Sequence, residues 1–255
     1  MSDPTAPRVV VVTGSARGLG LGMIRRFAAE GDTVVVTDID REAGEAAASS
    51  LRHDGAAADY VDLDVRDPAR VEAVVETLVA DHGHIDVWVN NAGVAHKGPA
   101  ESLSLADWDE SVAVMLSGAF YCAQAVGRGM LARGTGVIVN VASVNAYMPI
   151  EGRVAYSVAK AGLVSLTEAL GIEWASRGVR VVGVAPGVVM TDLVAAGIAA
   201  GTASAETYQR RTPMHRLGEI DEVAEAVAFL ASPAASYIVG ETLRVDGGWT
   251  AYQLF

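Results

Sequence analysis

Seven short runs of β-branched and other apolar residues punctuate the chain: RVVVVT (8–13), TVVVT (33–37), AADYVD (57–62), IDVWVN (85–90), GVIVNV (136–141), VRVVGV (179–184) and ETLRVD (241–246). Within them apolar residues follow one another with little alternation, the pattern of parallel strands covered on both faces. Between them, apolar positions recur at helical spacing over 18–30, 41–53, 68–82, about 105–132, about 155–177 and 219–231. Strand and helix in alternation predict right-handed crossovers and an α/β fold: a Rossmann-type, doubly wound sheet of about seven parallel strands with helices on both faces. No linker or shift in composition divides the chain, which reads as a single domain over 1–255. One segment, 190–218, breaks the alternation with a long stretch rich in Ala, Gly and Thr. Inserts of that length commonly cover a site as lids; the plainer alternative is a pair of packed helices.

Composition narrows the picture. With 255 residues, 51% of them hydrophobic, the chain can bury a sizeable core and is not disordered. Its 31 acidic and 19 basic side chains leave a formal charge of −12, which argues against a broad nucleic-acid or anionic-membrane surface. Phosphate groups must then be held locally. The sole cysteine, Cys122, lies in the apolar run GAFYCAQAV, so no intramolecular disulfide forms, a reducing compartment fits, and the thiol reads as a small buried side chain. The start, MSDPTAPRVVVVTG, has the pattern of neither a signal peptide nor a membrane span, and the expectation is a cytoplasmic protein. No His, Cys and Asp cluster has metal-ligand spacing, so no catalytic metal is expected.

Chemistry enters directly after the first strand. In TGSARGLG, Thr13 is followed by Gly14, Gly18 and Gly20 at the opening of a helix. Glycines let the backbone turn sharply and approach a pyrophosphate, and the helix N-terminus offers unpaired N–H groups and a positive dipole end. The spacing is G-x-x-x-G-x-G, which differs from the general dinucleotide fingerprint. Asp38, closing the second strand in VVVTDID, stands where an acidic residue meets the adenosine ribose. A carboxylate there accepts bonds from ribose hydroxyls and repels a 2′-phosphate, so NAD is expected in preference to NADP. Arg17 in the loop is the opposing signal, outweighed because a flexible arginine can point to solvent.

Further motifs follow in order: DLDV (62–65), NNAG (90–93), IVNVAS (138–143), YSVAK (156–160), PGVVMTDL (186–193) and VDGGW (245–249). Together with the glycine loop they cover Arg8 to about Gly248 and resemble the short-chain dehydrogenase/reductase family. That resemblance implies an NAD(P)-dependent oxidoreductase, homotetrameric or homodimeric, on a seven-stranded Rossmann sheet. Carried over by position, it implies that Gly14, Ala16, Arg17, Gly18, Leu19 and Gly20 surround the cofactor phosphates, with Asp38 on the ribose and Asp64 and Val65 at the adenine. It places Asn91, Ala92 and Gly93 along the cofactor, with Asn90 supporting the fourth strand, and puts Pro186, Gly187, Val189 and Thr191 around the nicotinamide.

Tyr156 and Lys160, four apart in a helical stretch, share one helix face. A free tyrosine titrates near pKa ~10, too high for a good base at neutral pH, and a nearby ammonium stabilises the phenolate. The family resemblance makes Tyr156 the acid/base. It has Lys160 bind the nicotinamide ribose and lower the phenol, while Ser143 bonds the substrate oxygen. One position departs from the family. Met115 stands in VAVMLSGAF where an asparagine usually anchors a water supplying protons to the lysine, and a thioether is a poor hydrogen-bond partner.

His96, Asn145, Met148 and Ile150, with Met190 and Tyr208, fall where the family lines its substrate cleft, although His96 and His215 also suit plain surface positions. The expected substrate is a small secondary alcohol or its ketone: a polyol, a sugar or a cyclic alcohol. The alternatives are a 3-oxoacyl thioester or steroid reductase of the same family, or a non-catalytic NAD(H)-binding protein. The apolar tail WTAYQLF is expected to dock on its own subunit or on a neighbour.

Overall fold

The computed structural model describes residues 7–201 and 204–252; the first six residues of the chain and the last three of WTAYQLF lie outside the described residues. Seven strands form one parallel sheet: β1 Val9–Thr13, β2 Thr33–Asp38, β3 Ala58–Asp62, β4 Val87–Asn90, β5 Gly136–Val141, β6 Val179–Pro186 and β7 Thr242–Val245. Their order is β3-β2-β1-β4-β5-β6-β7, with every neighbouring pair parallel.

Alternation within β1 shows why an unbroken valine run is needed. Val10 and Val12 point to one side, where they pack with α1 (Gly18–Ala29), α2 (Arg41–His53) and α9 (Ile220–Ala231). Val9 and Val11 point to the other, toward α3 (Pro68–His82), α5 (Gly118–Arg133) and α6 (Val154–Trp174). Both faces are dry, so every position of the strand has to be apolar. The rule weakens at the edges. Residues of β3 and β7 are partly exposed, because an outer strand is covered less completely than the central ones.

The expected helix over 105–132 is interrupted: α4 (Leu105–Val112) runs into a π-turn at Ala113–Ser117 before α5 continues. The 190–218 segment contains two short helices, α7 (Asp192–Ala199) and α8 (Ala205–Arg211), neither of which buries a residue fully. Trp249, near the end of the described chain, is buried. Among the described residues no helix is long and apolar enough to cross a membrane, and no group of three or more His, Cys, Asp or Glu side chains is placed to hold a metal ion.

The strand order reverses direction between β1 and β4. At such a switch point the loops leaving the two carboxyl ends diverge and open a crevice. The glycine loop leaves β1 there and the NNAG segment leaves β4 beside it.

Candidate active site

Thr13 ties the two loops together. Its hydroxyl accepts from the backbone N–H groups of Asn91 and Ala92 (both 3.0 Å), and the Asn91 side-chain amide donates to the carbonyls of Thr13 and Gly14 (both 2.9 Å). The glycines are needed where they stand. Gly14 and Gly18 have φ of 64° and 58°, and a Cβ on Gly20 would lie 2.3 Å from the Gly14 carbonyl oxygen. No side chain caps the N-terminus of α1, so its first N–H groups face the crevice unclaimed by protein side chains. A cradle this close, ending on an open helix dipole, fits the pyrophosphate of a dinucleotide.

At the end of β2, Asp38 accepts from the backbone N–H groups of Ala16 and Asp40 (both 3.1 Å), which fixes the carboxylate beside the loop. Arg17 lies at the exposed surface, where its guanidinium pairs with Asp40, the N-cap of α2. Asp64 is chelated by Arg66, whose fork (2.7–3.1 Å) holds the carboxyl below the ordinary range. Val65 is buried and packs at Gly118, where the π-turn meets α5. On the far side of the crevice, Pro186 closes β6, Gly187 passes so close to Asp246 that a Cβ would come within 2.9 Å of its Cα, and Val189 is buried. Thr191 caps α7, its hydroxyl accepting from Val194 N–H at 3.3 Å.

Ser143 follows β5 and starts a 3₁₀ turn at Val144–Ala146, its hydroxyl accepting from Asn145 N–H (3.2 Å). Tyr156 and Lys160 face the same region from the first turns of α6, with the Lys160 Nζ 5.8 Å from the phenol ring centre. Lys160 is 4% exposed and donates to the Val141 carbonyl at 2.6 Å. Burial lowers its ammonium to about 8. Burial also pushes the Tyr156 phenol above its ordinary value, with the Ser143 hydroxyl and the Arg153 guanidinium pulling the other way. Among the protein's own groups desolvation is the largest influence on the phenol, and the expected stabilisation of the phenolate by the Lys160 ammonium acts together with the positive nicotinamide ring.

A buried polar chain underlies the site. Trp88 Nε1 donates to the Asn90 oxygen (2.9 Å), Asn90 donates to Asn140 (2.9 Å), and Asn140 donates to Thr167 (2.9 Å), whose hydroxyl returns to the Leu163 carbonyl (2.8 Å). Asn140 and Thr167 were not among the expected residues. The signal available was one asparagine inside the apolar strand IVNV, since a buried amide needs partners. Met115 sits in the π-turn, 1% exposed, and a Cβ on Gly93 would lie 3.7 Å from its Sδ. It joins Thr13, Val65, Asn90 and Ala92 around a cavity of about 10 Å³, room for about one water.

The expected substrate-facing residues separate. His96 is held between Glu110 (2.9 Å) and Asp107 (3.3 Å) of α4, so its ring is engaged with carboxylates of its own chain. Asn145 is buried behind Ser143. Met148 approaches Arg211 of α8 (3.5 Å), Ile150 and Met190 are exposed, and Tyr208 packs on Trp249 with ring centres 6.4 Å apart. Cys122 is buried in α5, where burial drives its thiol pKa far upward.

Residues 14–250 match a family model described as enoyl-(acyl carrier protein) reductase. The chain is 41% identical over 243 residues to a D-threitol dehydrogenase of Mycolicibacterium smegmatis, covering 95% of this chain and 93% of that one. It is 42% identical over 252 residues to a cis-4-hydroxycyclohexanecarboxylate dehydrogenase of Sinomonas cyclohexanicum, covering 98% and 100%. The crystal structure of a gluconate 5-dehydrogenase from Burkholderia cenocepacia, in complex with NADP and tartrate, superposes with a TM-score of 0.91 at 36% identity, covering 96% of both chains.

Proposed function

The chain belongs to the short-chain dehydrogenase/reductase family, and from that premise we propose that it interconverts a small secondary alcohol and its ketone, using NAD, with Tyr156 as the acid/base. Relatives across nearly the whole chain are alcohol dehydrogenases and ketone reductases, and this chain is an enzyme of that class. What carries this reading is one juxtaposition: a half-buried phenol, a serine hydroxyl and a buried lysine beside a glycine loop that closes on a helix N-terminus.

In this reading the nicotinamide supplies the hydride acceptor or donor. The glycine loop (Gly14 to Gly20) holds the phosphates, and Asp38, already oriented by Ala16 N–H, receives the ribose hydroxyls. Asp64 and Val65 border the adenine; Asn91, Ala92 and Gly93 border the middle of the cofactor; Pro186, Gly187, Val189 and Thr191 border its reactive end. Ser143 orients the substrate oxygen toward the Tyr156 hydroxyl, which takes the carbinol proton during oxidation and returns it during reduction. Lys160 holds the nicotinamide ribose. Its preorganisation comes from burial and the Val141 carbonyl. The whole chain works as one catalytic domain, with α7 and α8 covering the substrate.

Threitol and cis-4-hydroxycyclohexanecarboxylate, the substrates named for two relatives, support a small polyol or cyclic alcohol over a carrier-bound acyl chain. The test is oxidation of a panel of polyols, sugars and cyclic alcohols with NAD and NADP in parallel. Turnover favouring NAD is expected, and a clear NADP preference would overturn the role given to Asp38.

A further inference from the structure

Resting on the reading just given, in which a secondary alcohol lies against Tyr156, we propose that the substrate also carries a carboxylate and that Arg211, assisted by Arg153, binds it. Arg211 ends α8, and its guanidinium lies 5.5 Å over the ring of Trp249. Its Nη2 approaches the Met148 sulfur at 3.5 Å, and its Nε is buried with no hydrogen-bond partner. A thioether accepts weakly, so a permanently charged group with five N–H donors sits half-buried without an oxygen partner among the described residues. This is unusual in a chain with 31 acidic and only 19 basic side chains, where Arg8, Arg26, Arg66 and Arg216 each take carboxylates.

Arg153 repeats the pattern on the other wall. It occupies the N-cap of α6, with its guanidinium 5.9 Å from the centre of the Tyr156 ring. It forms no ion pair among the described residues, not even with Glu151 two positions away. The two arginines connect to the reacting groups by different routes. Met148, which Arg211 touches, is bonded through its N–H to Val144 in the turn that begins at Ser143 (2.9 Å). Arg153 stands beside the phenol itself.

A planar guanidinium fork matches a carboxylate bidentately. One fork stacked on Trp249 and flanked by Met148 suits a monoanion with an apolar body, because a single positive charge balances a carboxylate and leaves a phosphate dianion half-neutralised. The phenol and the Arg211 fork lie on different elements. The favoured substrate is therefore a hydroxy acid whose hydroxyl and carboxylate are separated by a small carbon skeleton. The carboxylate takes the terminal N–H groups of the Arg211 fork, and it is the reacting end of the molecule that reaches Ser143 and Tyr156.

The test compares 4-hydroxycyclohexanecarboxylate with 4-hydroxycyclohexanecarboxamide, which differ in charge at nearly constant shape. Wild-type kcat/KM is expected to favour the acid roughly 10- to 100-fold, the range of a charge-assisted pair, with Arg211→Gln collapsing that ratio and Arg211→Lys restoring part of it. Cyclohexanecarboxylate should raise the thermal midpoint of wild type and fail to raise that of Arg211→Gln, a readout independent of turnover. Equal or better use of the amide by wild type, or an acid preference unchanged in Arg211→Gln, would overturn the proposal. If no alcohol is oxidised, the proposed activity falls, and the carboxylate-induced stabilisation alone then upholds or overturns the anion site. Stabilisation by phenyl phosphate in place of the carboxylate would overturn the assignment to a monoanion.

Discussion

Lys160 is held where water cannot reach it, and this has a consequence for stability. A lysine that titrates near 10.5 in the unfolded chain is lowered to about 8 in the folded one. Between those values the unfolded chain binds the extra proton, so stability rises with pH; below about 8 both states are protonated and the burial penalty is fully present. Urea midpoints measured from pH 7.5 to 10.5 should rise more steeply for wild type than for Lys160→Met, and parallel curves would show that the ammonium is not strained. Ser143, Tyr156 and Lys160 are the residues that the family resemblance points to, and the structure brings Tyr156 and Lys160 onto one face of α6. Their supports were not legible in the sequence. Asn140 and Thr167 are linked by a bond spanning 27 residues, and Asn91 grips a loop 77 residues away, pairings that only the assembled sheet creates. The partners of His96 on α4, Asp107 and Glu110, are likewise set by the folded chain.

At the scale of elements, the strands and most helices were visible because each carries a complete period of apolar positions. Two features were not. The π-turn at Ala113–Ser117 leaves the apolar periodicity of 105–132 nearly intact, so the sequence reads as one helix while the backbone gains an extra residue there. The helices α7 and α8 bury no residue fully, so no strong amphipathic stripe marked them, and their caps, Thr191 and Ser204, are the local signal that remains. Met115 occupies the π-turn where the family usually has asparagine, yet Lys160 takes its bond from the Val141 carbonyl and not from that side chain. Wild type is therefore expected to turn over unaided, with Met115→Asn altering kcat by less than about tenfold. A wild type inactive on the whole alcohol panel, revived by Met115→Asn, would show that the thioether has disabled the chain.

For the whole molecule, the acidic balance directs attention toward a local cradle for phosphates, and the motif order along 255 residues specified the architecture more sharply than any single motif. What the order could not reveal is how surfaces are used. Val154, Val158 and Ile172, the last 80% exposed, are apolar side chains on the outward side of α6. Burial of these side chains supports the expected homodimer or homotetramer. Light scattering should return a mass two or four times 26.4 kDa, and Ile172→Glu should shift it downward; a monomeric wild type would contradict this. The central claim is that a nicotinamide-dependent carbinol oxidation runs through the Tyr156 phenol, and the most direct test is single-turnover oxidation of the best panel alcohol by wild type and Tyr156→Phe, with NADH affinity measured alongside. The account predicts a loss of roughly 10²- to 10⁴-fold in rate with cofactor binding retained. An oxidation rate in Tyr156→Phe equal to that of wild type would contradict it.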